Sequence, residues 1–154
     1  KGVKEATFGY KMHLLIDCEY ELPIAAHVSV GNVHDVTRAS NLFREARTAN
    51  DLFRPNYAMG DAGYSSQELA RLLRLQYGAT PIIDPNPKHK AMLAIKAGFG
   101  ASEWKALYKQ RTAVERVNSR LKGQRSLNDI TVRRLRKVTV HCYLALIAMQ
   151  VLAQ

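Results

Sequence analysis

No proline or glycine interrupts Glu103 to Lys122, and so long an uninterrupted stretch reads as a single helix. At about 100° per residue, Tyr108, Arg111, Glu115 and Lys122 fall within an arc of roughly 60°. One face thus carries a phenol, a guanidinium, a carboxylate and an ammonium. Sealing such a face in apolar core is costly. The plain reading makes Arg111 and Glu115 an ordinary i,i+4 ion pair, worth about 0.3–0.5 kcal/mol. The functional reading turns the face toward an anionic partner.

Charge favours that partner. The chain of 154 residues has a formal charge of +10, and Lys and Arg dominate from Lys105 to Lys137. A polyanion fits this asymmetry. Nucleic acid suits it better than membrane, because the cations lie on no Trp/Phe-rich amphipathic helix. No apolar run approaches the roughly 20 residues needed to span a bilayer. Cys18 and Cys142 lie in apolar runs without CxxC spacing, which predicts reduced, buried thiols.

In chain order, Phe8 to Cys18 and Leu22 to Val30 are rich in aromatic and β-branched residues and are joined by Glu19-Tyr20-Glu21, the pattern of an antiparallel hairpin. Gly31-Asn32 stops the second strand, and Asp35 or Thr37 caps a helix running to about Ala49. His34-Asp35 reads as a loop and cap pair. A short apolar run from Asn56 ends in Gly60-Asp61-Ala62-Gly63-Tyr64, and Ser65 or Ser66 then caps a helix with Leu69, Leu72, Leu73 and Tyr77 at helical spacing. Ala79 to Asp84 is another strand, broken by Pro85-Asn86-Pro87. A basic stretch from Lys88 to Gly100, with a weak helix over Ala91 to Ala97, leads to Ser102, which caps the helix that Gly123 ends. The apolar segment Val138 to Ala153 forms a last helix packed on the core. This order predicts one α/β domain over residues 1–154, a mixed sheet with flanking helices.

Asp61 closes a strand just before a turn, where side chains of an α/β sheet reach the open edge and ligands bind. Two or three carboxylates meeting there, Asp61 and Glu115 among them, would hold Mg²⁺ or Mn²⁺, hard ions that prefer oxygen ligands. Two such ions about 3.5–4 Å apart stabilise the attacking and leaving oxygens of phosphodiester displacement. Arg111 and Lys122 would fix DNA phosphates, joined by Arg116, Arg120 and Arg125 of the same basic stretch. Tyr108 stacks on a base or sugar, or packs half-buried.

The spacing Tyr108-x2-Arg111-x3-Glu115-x6-Lys122 resembles the Y-x2-R-x3-E-x6-K signature of DDE transposases of bacterial insertion sequences. Gly60-Asp61-Ala62-Gly63-Tyr64 is similar to their second-aspartate motif, and Gly9-Tyr10-Lys11, Leu22-Pro23 and Gly31-Asn32-Val33-His34-Asp35 to their preceding hairpin and loop. The likeness covers nearly the whole chain. It implies an RNase H-like fold, Asp61 and Glu115 as second and third metal ligands, and metal-dependent DNA cleavage and strand transfer in a bacterial, cytoplasmic, nucleoid-associated protein. Synapsis of two transposon ends implies a homodimer. In that family the first aspartate lies on a strand ahead of the hairpin, and nothing before Phe8 resembles that strand. The expectation is therefore a C-terminal portion of the catalytic domain, lacking its first strand and inactive alone. A non-enzymatic DNA-binding remnant and an RNase H-like nuclease without joining activity are the alternatives.

Overall fold

The computed structural model describes residues 9–153; Phe8, the expected start of the first strand, lies outside them. Strands β1 (Tyr10–Ile16) and β2 (Pro23–Val30) form the expected antiparallel hairpin, with Tyr10 opposite Val30 and a register shift between Leu15 and Ile16. Helix α1 (Val36–Ala49) follows, turning Ala39, Leu42, Phe43 and Ala46 inward at 3–4-residue spacing. Asp35 occupies its N-cap position but makes no capping hydrogen bond.

Strand β3 (Tyr57–Gly60) runs parallel to β4 (Thr80–Ile83), and the crossover between them is α2 (Gln67–Tyr77). Ser66, rather than Ser65, caps α2, accepting from the amide of Leu69, and Gly78 ends it in the left-handed conformation at φ 68°. Short α3 (Lys90–Ala97) occupies the basic stretch after the prolines.

The long helix of the sequence reading is two helices, α4 (Ala101–Lys109) and α5 (Thr112–Gln124). Between them the amides of Gln110, Arg111, Ala113 and Val114 bond to carbonyls three residues back, a tightened 3₁₀-like turn. The cause is the phase of the apolar side chains. Trp104 and Ala113 are nine positions apart, about 180° on an unbroken helix, so they could not face one core together. Both are buried, at 6% and 0% exposure, and the tight turn resets the phase for Ala113, Val117 and Leu121. Gly100, not Ser102, stands at the N-cap of α4, and α5 runs through Gly123 to Gln124. The last helix, α6 (Leu135–Val151), touches β2 and α5. The side chains of Tyr143 and Gln150 donate to the β2 carbonyls of Ala26 and Pro23 at 2.6 and 2.8 Å.

A single mixed sheet does not form among the described residues: β1–β2 and β3–β4 are separate two-stranded sheets. Each has its own packing. Phe43, Leu73, Tyr77, Ile83 and Met92 fill the core around β3–β4, while Val117, Leu121, Leu146 and Met149 pack under the hairpin with Met12, Leu14 and Ile16. A cleft of about 1070 Å³ separates the sheets, lined by the whole of β1 and the whole of β3 but by little of β2 or β4. The edges of β1 and β3 opposite their paired neighbours therefore open on one space. Both cysteines are free, as expected, with Cys142 buried and Cys18 half-buried.

Candidate active site

Asp61 follows directly on β3 and begins a 3₁₀ turn, Ala62–Tyr64. Its Oδ1 accepts from the amide of Gly63 at 2.9 Å, which orients the carboxylate. Gly63 permits this approach, since a Cβ there would lie 3.0 Å from Asp61 Oδ1. Gly60 in turn lets Tyr64 fold back over the strand end; a Cβ on it would meet the Tyr64 side chain at 3.3 Å. The sequence reading placed Asp61 correctly at the carboxyl end of a strand.

Asp61 shares the large cleft with Arg111 and Lys122, and with three groups the sequence reading gave no role: Lys11, His13 and Tyr64. Lys11 Nζ donates to the carbonyl of Val33 at 3.2 Å and pairs with Asp35 Oδ1 at 3.3 Å, tying β1 to the start of α1. His13, buried at 3% exposure, lies 2.8 Å from Ser29 Oγ through Nε2 and 3.6 Å from Asp35 Oδ1 through Nδ1. Burial lowers its pKa despite the opposing pull of Asp35. The Tyr64 phenol is pushed up to about 12, first by burial and then by the negative charges of Asp35 and Asp61. Asp35 thus belongs to the electrostatic surroundings of Asp61. The motif residues Lys11 and Tyr64 were visible beside their neighbours in the chain, but no local signal gave their convergence.

Glu115 stands elsewhere. It is exposed in the first turn of α5, its Oε1 accepting from Arg111 Nη1 at 2.8 Å, so the plain ion-pair reading describes this contact. It opens on a neighbouring hollow with Ser119, Gly123 and Asn128, and Asn118 and Lys122 form the ridge common to both concavities. Glu115 thus lines the neighbouring hollow rather than the cleft of Asp61, and its partner Arg111 lines that cleft. Among the described residues no three His, Cys, Asp or Glu side chains gather where a metal ion could sit. Asp61 and Glu115 offer the hard oxygen donors that Mg²⁺ or Mn²⁺ prefers, but on their own they are an incomplete set.

The half-buried ring of Tyr108 carries the Arg111 guanidinium, 5.4 Å from its centroid, so these two motif residues touch each other across the helix break. Arg116 and Arg120, one turn apart on α5, both grip Glu21 of the hairpin turn. Arg116 Nε bonds one carboxylate oxygen, and Arg120 Nη2 bonds the other and the Glu21 carbonyl, each at 2.9 Å. Glu21 sits at φ 53°, in the left-handed region. Arg125 donates to the carbonyl of Gln124. Of the expected DNA-binding residues, Lys122 is exposed on the ridge, whereas Arg116 and Arg120 are held by a carboxylate.

An aspartate at a parallel strand end, lining a cleft together with Lys11, Arg111 and Lys122, marks an α/β domain suited to an anionic substrate. The chain matches the model of the family described as "Transposase DDE domain" over residues 1–151 and belongs to that family. Its membership makes DNA the substrate class and transposition the activity, in a family that typically uses divalent metal. No curated protein and no solved structure matches it. No helix among the described residues is long and apolar enough to cross a membrane.

Proposed function

We propose that Asp61 and Glu115 are two of the carboxylates with which the parent transposase cuts DNA at transposon ends and joins it to a target, and that the remaining one arrives on a strand lodged between β1 and β3. The observation that carries this reading is the cleft itself: two open strand edges line it, and Asp61 stands at its margin. A strand there would unite the two sheets into one RNase H-like mixed sheet and bring a further side chain beside Asp61. In this reading the described residues hold an incomplete ligand set for Mg²⁺ or Mn²⁺, and cleavage requires that strand.

In this reading Lys122 and Arg111 hold DNA phosphates at the ridge, and Tyr108 sets the plane of the Arg111 guanidinium. Approach of a cation to Glu115 would release Arg111 toward phosphate. Asp61→Asn and Glu115→Gln in the parent protein are expected to abolish cleavage and joining while DNA binding persists. Retained strand transfer in either variant sinks the assignment. Products confined to hydrolysed ends would favour a nuclease without joining.

The hold of Arg111 on Glu115 favours one second reading, a DNA-binding remnant whose carboxylates serve only structure. It predicts DNA binding that weakens with salt but is indifferent to Mn²⁺, and a parent protein in which neither carboxylate matters.

A further inference from the structure

Helix α6 is apolar almost all round, a pattern found where a helix is covered on both sides. Among the described residues the fold covers one side only. Val138, Cys142, Ala145, Leu146 and Met149 face the core, while Val140, Leu144, Ile147 and Val151 remain 54, 60, 53 and 62% exposed. Their spacing of four, three and four residues is that of one helix seam laid against another, about 3.5 residues per repeat. With Tyr143 and Leu152 at the margins, the stripe is an apolar patch on the order of 500 Å², toward the upper end of the roughly 300–600 Å² found for the largest patch on a monomer.

We infer that this stripe is a self-association surface, and that its occupant is α6 of a second copy of the chain, running antiparallel. Charge selects both the partner and the direction. Between Val140 and Val151 the α6 positions flanking the seam are His141, Tyr143, Ala148 and Gln150, none of them Lys, Arg, Asp or Glu, so this stretch of the helix brings no charge of like sign against its copy. Arg133, Arg134, Arg136 and Lys137 crowd the N-terminal end, and the helix has no acidic residue in its first turn and no basic one in its last. A parallel pair would set these basic ends side by side. An antiparallel pair instead lays each against the C-terminal turn of the partner helix, where free carbonyls concentrate negative potential. With the twofold axis between Leu144 and Ile147, Leu144 packs on Ile147 of the other copy and Val140 on Val151. The patch supplies much of the roughly 800 Å² per partner of a standard interface, which suits a dimer of moderate affinity.

The test is sedimentation equilibrium of this chain from about 1 to 100 µM, bracketing micromolar dissociation constants. The expected result is a monomer–dimer equilibrium, with Leu144→Glu raising the dissociation constant at least about 100-fold because each dimer would bury two unpaired carboxylates. Leu144 is 60% exposed, so the variant should keep the far-ultraviolet circular dichroism of the unsubstituted chain, and its melting curve at concentrations where that chain is monomeric. Orientation is read by disulfide trapping on a Cys18→Ser background. Val140→Cys mixed with Val151→Cys should give the crosslinked pair, and neither variant alone should do so efficiently. A monomer at every concentration overturns the inference, and so does a dimer that Leu144→Glu leaves intact. Efficient self-crosslinking of Val140→Cys overturns the antiparallel arrangement. All three readouts are independent of transposition.

Discussion

Replacing Glu21 separates two effects that its position combines. Its carboxylate receives one guanidinium bond from Arg116 and one from Arg120. The pairs are partly exposed, with side-chain exposure of 55% and 39% for the arginines and 21% for Glu21. Charge-assisted bonds contribute about 1.5–3 kcal/mol when dry and exposed pairs about 0.2–1 kcal/mol, so about 1 kcal/mol each is a fair intermediate. Against this stands the left-handed backbone at φ 53°, which costs a side chain bearing Cβ about 1–2 kcal/mol and costs glycine almost nothing. Glu21→Ala loses the bonds and keeps the strain, a destabilisation of about 2 kcal/mol. Glu21→Gly loses the bonds but relieves the strain, leaving about 1 kcal/mol or less. At about 2–4 °C per kcal/mol for a domain of this size, Ala should lower Tm by about 4–8 °C and Gly by no more than about half as much. Urea titrations followed by circular dichroism measure both. A glycine variant as unstable as the alanine variant, or more so, would refute the argument. Both variants also remove the carboxylate that neutralises Arg116 and Arg120, which keep their bonds to Thr112 and the Glu21 carbonyl, so the dependence of DNA affinity on salt should steepen by up to about 1.8 in log–log slope, at about 0.9 per phosphate contact.

Other tests reach other parts of the site. Burial holds the His13 pKa below its usual 6.5, so the unfolded chain binds more protons as pH falls through that value. Stability should therefore be complete above 6.5 and decline below it, and His13→Gln should flatten this part of a pH series of denaturation curves. Gly63→Ala places a Cβ 3.0 Å from Asp61 Oδ1; under the role proposed for Asp61 it should cut DNA cleavage about tenfold or more, with a smaller effect on DNA binding. Leu121, fully buried under the hairpin, anchors α5. Leu121→Ala should destabilise by about 2–5 kcal/mol in urea titration.

The short elements were legible in the sequence because their signals are local. The hairpin, the strand leading to Asp61, the Ser66 cap and the start of the basic stretch each depend on residues within a few positions. The break at Gln110–Arg111 was less so, because neither residue disfavours helix and both keep right-handed backbone angles. Its trace was nevertheless present in the opposed phases of Trp104 and Ala113. The grip of Glu21 on Arg116 and Arg120 spans 95 and 99 positions, and no periodicity reports such a contact. The same holds for Asp35, read as a helix cap but occupied with Lys11.

The two sheets share no strand pairing, and α1 packs on both strands of the hairpin and also on α2. In mechanical terms the molecule resembles two stiff plates on an axle, with α4 on β3 and β4 and α5 on β1 making a second link. Small rotations about α1 would change the width of the slot at little cost in strand pairing, since among the described residues none spans it. The amides on the two bare edges should then exchange with deuterium far sooner than those between paired strands. That contrast would vanish on insertion of a strand, providing a gauge of whether the sheet is complete.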